Sequence, residues 1–366
     1  VPSLPFACSA LLGAVGNYYT LRQQVVVGTL SCSVVAAWLL VSHNFGFGYL
    51  LLLVSLGCSY YRIIYFAVDR ELTCSLSANI NNFCADLVVL GSFSGLLNLK
   101  LGEWVFHRYG VSGVIWLFIL ANSLFAYFTY QIPSTARAKP SVSMHMTWSQ
   151  LVQSYCTVLR SFKSSPAIML GLALCWLMAA LLAFANLLLI IKFKTLSITT
   201  ASYTNYLGVA MGASILSAVG FKLMVLQPNI KFHWWQSILA AMIGACLVAI
   251  GYAHTSSGLS MVYGLFQLAV SFWFLTQNSW WLNLLATSPQ LRKLAPLGNG
   301  LLASFLYAAT FIAEVSFPWC NQLGNHAKLF WWILASCAWL VAALARCAYS
   351  LLVAKSSSCG MGCGSS

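Results

Sequence analysis

Five carboxylates are all that this 366-residue sequence offers for acid–base or ion-coupled chemistry: Asp69, Glu71, Asp86, Glu103 and Glu314. An enzyme working by proton transfer or nucleophilic attack needs several polar side chains gathered at one place. No HxxxxD, GxSxG or HExxH pattern occurs, and neither does a phosphate-binding loop. The 13 Cys residues include no CxxC and no Cys/His set with zinc spacing. An enzyme, a metal or cofactor protein, and a pump driven by nucleotide hydrolysis within this chain are therefore not expected.

Asp86, in "NNFCADLVVLG", is the sharpest single feature. It falls inside an apolar run, where an ionised carboxylate costs ~2.5–3.5 kcal/mol on insertion scales. A water-filled cavity, a cationic partner or protonation must offset that cost. Asp86 is accordingly a candidate cavity or proton site, the alternative being a packing residue bonded to nearby Asn or Ser. Asn79, Asn82, Asn186, Gln277, Asn278 and Asn283 are amides within or at the ends of apolar runs. They are candidates for a polar patch holding a solute headgroup, and equally for simple ties between helices. Arg62 and Arg70, near Asp69 and Glu71, could form an ion-paired gate or an ordinary charged helix end.

These residues must be positioned by elements built for lipid. Hydrophobic types make up 60% of the chain and charged types only 6%, far from the roughly 25% charged residues of soluble domains. Apolar runs long enough to cross a bilayer as helices recur at about 5–19, 24–42, 47–67, 76–97, 112–132, 167–190, 203–226, 235–253, 258–282, 296–317 and 329–353. The expectation is an all-α polytopic membrane protein with eleven visible spans.

The formal charge of +13 forms no stripe suited to nucleic acid. The basic residues set orientation instead. With the first run passing from outside to inside, most of the 18 Lys and Arg fall on the inner side, and only Lys100, Arg108, Lys192, Lys194 and Lys328 fall outside. That places Val1 outside and the C-terminus in the cytoplasm. A chain starting outside needs an earlier helix to carry it there, so a first span is expected before Val1 and a total of twelve. An intact eleven-helix chain is the alternative.

One connection is long. Residues 133–166 lie inside and carry Trp148, Leu151, Val152, Tyr155, Val158, Leu159 and Phe162 at helical spacing, with Arg160 and Lys163 beside them. This pattern predicts an amphipathic helix on the membrane surface. The expected organisation is an N-terminal bundle over 1–132, this linker, a six-helix bundle over 167–353 and a disordered tail over 354–366.

Two six-helix halves joined in this way are the architecture of the major facilitator superfamily, with a cavity between the halves. "GAVGNYYTLRQQ" resembles the loop after the second helix of that superfamily, with Gly13, then Asn17 in place of its Asp, then Arg22. The resemblance assigns Asn17 and Arg22 to a gate. "YLLLLVSLGCSYYRIIYFAVDRELT", Ala78–Asn79 and "LGSFSG" are similar to the fourth and fifth helices of the bacterial lysophospholipid transporters, through Tyr65, Glu71, Leu72, Ala78, Asn79, Gly91 and Gly95. "YTNYLGVAMGA" and "NLLATSPQLRKLAPLGNG" extend the likeness into the second half. Ile64, Ala183 and Ala308 stand where that family carries ionisable residues.

The resemblance implies alternating-access transport of lysophosphatidylethanolamine-like lipid across a bacterial inner membrane. It also implies a separate acyltransferase as partner and a monomeric carrier. A carrier for another amphipathic solute or drug, and a non-transporting scaffold, are the alternatives.

Overall fold

The computed structural model of the protein describes residues 21–42, 80–131, 148–163, 166–198, 200–225, 232–287, 304, 306–316 and 327–360. Every element in them is an α-helix: α1 Leu21–Ser42, α2 Ile80–Gln131, α3 Trp148–Lys163, α4 Pro166–Thr195, α5 Thr200–Val225, α6 Phe232–Tyr252, α7 Ser256–Thr287, α8 Leu306–Ser316 and α9 Ala327–Gly360. Six of these, α2, α4, α5, α6, α7 and α9, are long and apolar enough to cross a membrane. The runs expected at 5–19 and 47–67 lie outside the described residues. Helix α3 occupies the amphipathic stretch of the linker. Helix α9 continues past Val353 to Gly360, into the stretch expected to be a tail.

The helices are inside-out by the standards of a soluble protein. Along α1, Thr29, Cys32, Ser33 and Ala36 are buried, while Val27, Leu30, Val34, Trp38 and Val41 are exposed. Small residues thus face protein and large apolar ones face outward. In lipid no hydrophobic force drives helices together, so close packing of small side chains must do it. The hydroxyls in α1 are satisfied within the helix, Ser31 Oγ donating to the Val27 carbonyl at 2.7 Å and Ser33 Oγ to that of Thr29 at 3.3 Å.

The runs expected at 76–97 and 112–132 both fall within α2, which consists of two helical stretches meeting at a kink at Gly110, and the stretch between the runs is itself helical. The chain stays helical through 98–109 and breaks only at Gly110, whose φ of 66° and ψ of −160° belong to a region open almost exclusively to glycine. The charges that suggested a loop are accommodated on the helix. Lys100 pairs with Glu103 at 3.3 Å, and the Arg108 guanidinium lies 5.7 Å from the Trp104 ring.

The chain forms two compact units. One comprises Val1–Ala78, Leu97–Ser161 and Leu285–Phe311. The other comprises Asn79–Leu96, Phe162–Leu284 and Ile312–Ser366, so the opening turns of α2 belong with α4–α7 and α9. The core of this second unit includes Met178, Ile243, Leu247, Phe266, Trp273 and Ala338. Helices α6 and α9 run antiparallel: Ser237 Oγ donates to the Ala342 carbonyl at 2.7 Å, Trp339 Nε1 to that of Ala241 at 3.2 Å, and Trp332 Nε1 to the Tyr252 hydroxyl at 3.2 Å. Gly244 and Gly251 seat the indoles of Trp339 and Trp331 where any Cβ would collide. Helices α5 and α7 run parallel, linked by Tyr206 to Ser256 at one end and by Ser214 to Ser271 further along, each bond 2.7 Å.

Candidate functional site

The opening turns of α2 bring Asp86 against α5. Lys222 Nζ donates to Asp86 Oδ1, so the carboxylate singled out in the sequence has a cationic partner. Both side chains remain accessible, Asp86 at 53% and Lys222 at 39% exposure. Two further contacts fix the geometry. A Cβ on Gly95 would meet Met211 Cε at 2.9 Å, and a Cβ on Gly208 would meet Leu96 Cδ2 at 3.9 Å. As position advances along α2 from 86 to 96, its partner on α5 retreats from 222 to 208. The two helices are therefore antiparallel neighbours along most of their shared length. Of the small-residue run on α5, Gly208 faces α2, Gly220 faces Phe272 of α7, and a Cβ on Gly212 would meet nothing within 4 Å.

The same segment of α2 is anchored on α7. Cys84, two residues before Asp86, is buried, with Ser279 of α7 beside its thiol. Asp86 is held by neighbours on one side while its carboxylate reaches Lys222 on the other. The Lys was visible in the sequence only as one of the inner-side charges. Its place within the apolar stretch "AVGFKLMVL" was the available signal, since a lone cation among apolar residues needs a partner as much as a lone carboxylate does.

A second polar feature lies between α6 and α7. Gln236 Nε2 donates to Gln277 Oε1 at 2.8 Å, and both amides are buried. Gln277 is thus a tie between two helices, the simpler of its two sequence readings. Its own Nε2 and the indole Nε1 of Trp273, one turn earlier, have no hydrogen-bond partner among the described residues. Two buried N–H donors one turn apart on α7 would be satisfied by an acceptor oxygen, from water or from a solute.

Asn82, Asn186 and Asn278 are exposed, and no hydrogen bond joins them among the described residues. Asn17, Arg62, Arg70 and Asn79 lie outside the described residues, as do the side chains of Arg22 and Asn283. Glu314 is partly buried on α8. Among the described residues, no three His, Cys, Asp or Glu side chains gather as a metal site would require.

No protein-family model and no curated protein matches the sequence. Solved structures do match it in fold. The human organic anion transporter MFSD10 (TETRAN) superposes with a TM-score of 0.67 at 16% identity, covering 96% of this chain and 81% of its own. The E. coli fucose:proton symporter FucP gives 0.67 at 13% identity, over 94% of this chain and 89% of its own. A bacterial homologue of the iron transporter ferroportin, in an outward-facing state, gives 0.69 at 13% identity, over 95% and 88%. The proton:xylose symporter XylE of the major facilitator superfamily gives 0.65 at 14% identity. Together with the apolar spans, these likenesses establish a multi-pass α-helical membrane protein with the fold of major facilitator superfamily transporters.

Proposed function

We propose that this protein is a secondary carrier that moves an amphipathic, lysophospholipid-like solute across the membrane by alternating access, with Asp86 and Lys222 as a latch. The observation that carries the reading is the ion pair itself. Asp86 lies before the long linker at 133–166 and Lys222 after it, and the pair joins these two stretches of sequence within one compact unit. With the orientation read from the charge bias, Lys222 sits toward the cytoplasmic end of its helix and Asp86 within its apolar run. A carrier of this kind must alternate between two arrangements, each held by contacts absent from the other.

The energies suit such a role. An exposed ion pair contributes only ~0–1 kcal/mol, whereas leaving either charge alone in hydrocarbon costs ~2.5–3.5 kcal/mol. The pair therefore breaks readily where water enters and stays closed where it does not. A lysophospholipid is favoured as substrate by the sequence likeness in 49–95, and by the scarcity of ionisable residues for binding a highly charged solute. The solutes named for the similar structures, an organic anion, fucose, xylose and iron, form the comparison set.

Purified protein in liposomes, with labelled lysophosphatidylethanolamine in one leaflet, tests the proposal. Flipping above that of empty vesicles, abolished in Lys222→Gln and recovered in the charge exchange Asp86→Lys with Lys222→Asp, supports it. Movement of fucose, xylose or an organic anion with no lipid flipping would replace the substrate but keep the latch. Movement of none of them in well-folded protein would leave a scaffold as the better reading.

A further inference from the structure

We propose that the protein carries a resident anionic phospholipid, one acyl chain seated in a groove between α4 and α9 and the phosphate held by Lys192 and Lys328. The groove is lined by Phe184, Leu187 and Leu188 of α4 and by Phe330, Ile333, Leu334 and Cys337 of α9. It has a volume of about 250 Å³ and exposes no polar surface. That is smaller than the roughly 300–1,000 Å³ of sites for whole small-molecule ligands, but it suits a length of a single hydrocarbon chain. Ile333, Leu329 and Ile190 stand exposed around it, as side chains facing lipid do.

The charge at one end specifies the occupant. Lys192 lies one turn beyond Leu188 on α4, and Lys328 precedes Phe330 on α9. The two converge on the end of α6, where Lys192 Nζ donates to the Gly251 carbonyl at 3.0 Å and Lys328 Nζ lies 5.7 Å from the Tyr252 ring. The two ammonium groups thus contact consecutive residues at one helix end. Among the described residues no carboxylate forms a salt bridge with either one. Lys194 is exposed at the same end of α4, two residues beyond Lys192. In the orientation read from the sequence, Lys192, Lys194 and Lys328 are most of the few basic residues that stand outside, against the general bias. A phosphate between Lys192 and Lys328 would neutralise two cations gathered at one helix end, and an adjoining apolar slot is where that phosphate's acyl chain would lie.

The test of this site reads lipid binding rather than movement. The intact protein in a neutral detergent is titrated with phosphatidylglycerol or with phosphatidylcholine of the same chains, following bound lipid by native mass spectrometry and the unfolding temperature in parallel. Phosphatidylglycerol is expected to bind more tightly and to raise the unfolding temperature further. Lys328→Gln, exposed and remote from the core, is expected to weaken phosphatidylglycerol about fivefold, and Lys192→Gln with Lys328→Gln roughly 25-fold, leaving phosphatidylcholine unchanged. Leu187→Trp, which fills the groove from its half-exposed edge, is expected to weaken both lipids. Equal affinity for the two lipids in the parent protein, or an unchanged preference in the well-folded Lys328→Gln variant, would overturn the proposal. So would glycerol phosphate competing as well as the intact lipid, because the groove would then contribute nothing.

Discussion

Lys222 of α5 donates a hydrogen bond to the Asp86 carboxylate of α2, joining residues 136 positions apart. The pair answers the question that Asp86 raises as a carboxylate in an apolar run, since the helix insertion cost is offset by an adjacent cation. It also makes the two residues interdependent, and that interdependence is measurable.

Removing one partner should cost more than removing both. Lys222→Gln leaves an uncompensated carboxylate and is expected to lower stability by about 2–3 kcal/mol. Asp86→Asn with Lys222→Gln should lie within about 1 kcal/mol of the parent. Thermal unfolding of the two single variants and the double variant, arranged as a double-mutant cycle, measures the coupling. Additive effects would show that the two residues stand apart in the membrane.

The amide tie between α6 and α7 predicts a smaller effect. Gln277→Leu withdraws the acceptor from Gln236 Nε2 at a buried position, with an expected loss of about 1 kcal/mol. Replacing both Gln236 and Gln277 by Leu should recover most of it. A double variant less stable than Gln277→Leu would mean that Gln236 anchors the bundle through other contacts.

Glycine positions separate into two groups. A Cβ on Gly244 would lie 2.8 Å from Trp339 Cδ1 and 3.1 Å from the Ala335 carbonyl, and one on Gly171 would run into the Trp280 ring. Ala at either position is expected to cost about 1–3 kcal/mol. Gly212→Ala meets nothing within 4 Å and should be neutral or stabilising by up to about 1 kcal/mol, because Ala loses less chain entropy in a helix. Equal unfolding temperatures for all three variants would contradict the packing described for α4, α6, α7 and α9.

The break in α2 rests on one residue. Gly110→Ala forces a side chain into a backbone region reserved for glycine, at an expected cost of about 1–3 kcal/mol. Circular dichroism should show unchanged or slightly higher helix content with a lower unfolding temperature. An unfolding temperature equal to the parent's would mean that the helix passes position 110 without the break.

The class of protein was legible in the sequence because hydropathy is a local, additive property. Runs of Leu, Val, Ile, Phe and Ala about 20 residues long can satisfy their backbone polar groups in lipid only as helices, and α4 to α7 and the start of α9 follow the expected runs within a few residues. The amphipathic stretch around Tyr155 was equally readable, since its polar and apolar faces alternate at helical period. Continuity was harder to read. Charges at Lys100, Glu103 and Arg108 look like a connection, yet they pair and stack within a turn and leave α2 helical up to Gly110.

What the sequence determined by itself is that this chain lives in a membrane as a bundle of helices, and that Asp86 needs a partner there. Only the tertiary structure decided that the partner is Lys222, that Gln277 is spent on Gln236, and that Lys192 and Lys328 meet beside an apolar groove. The physical reason is that these spans are apolar on nearly every face. Their hydropathy says that they cross the membrane but gives no direction to turn inward, so their neighbours are chosen by shape, by small residues such as Gly244 and Gly251, and by pairings between residues far apart in the chain.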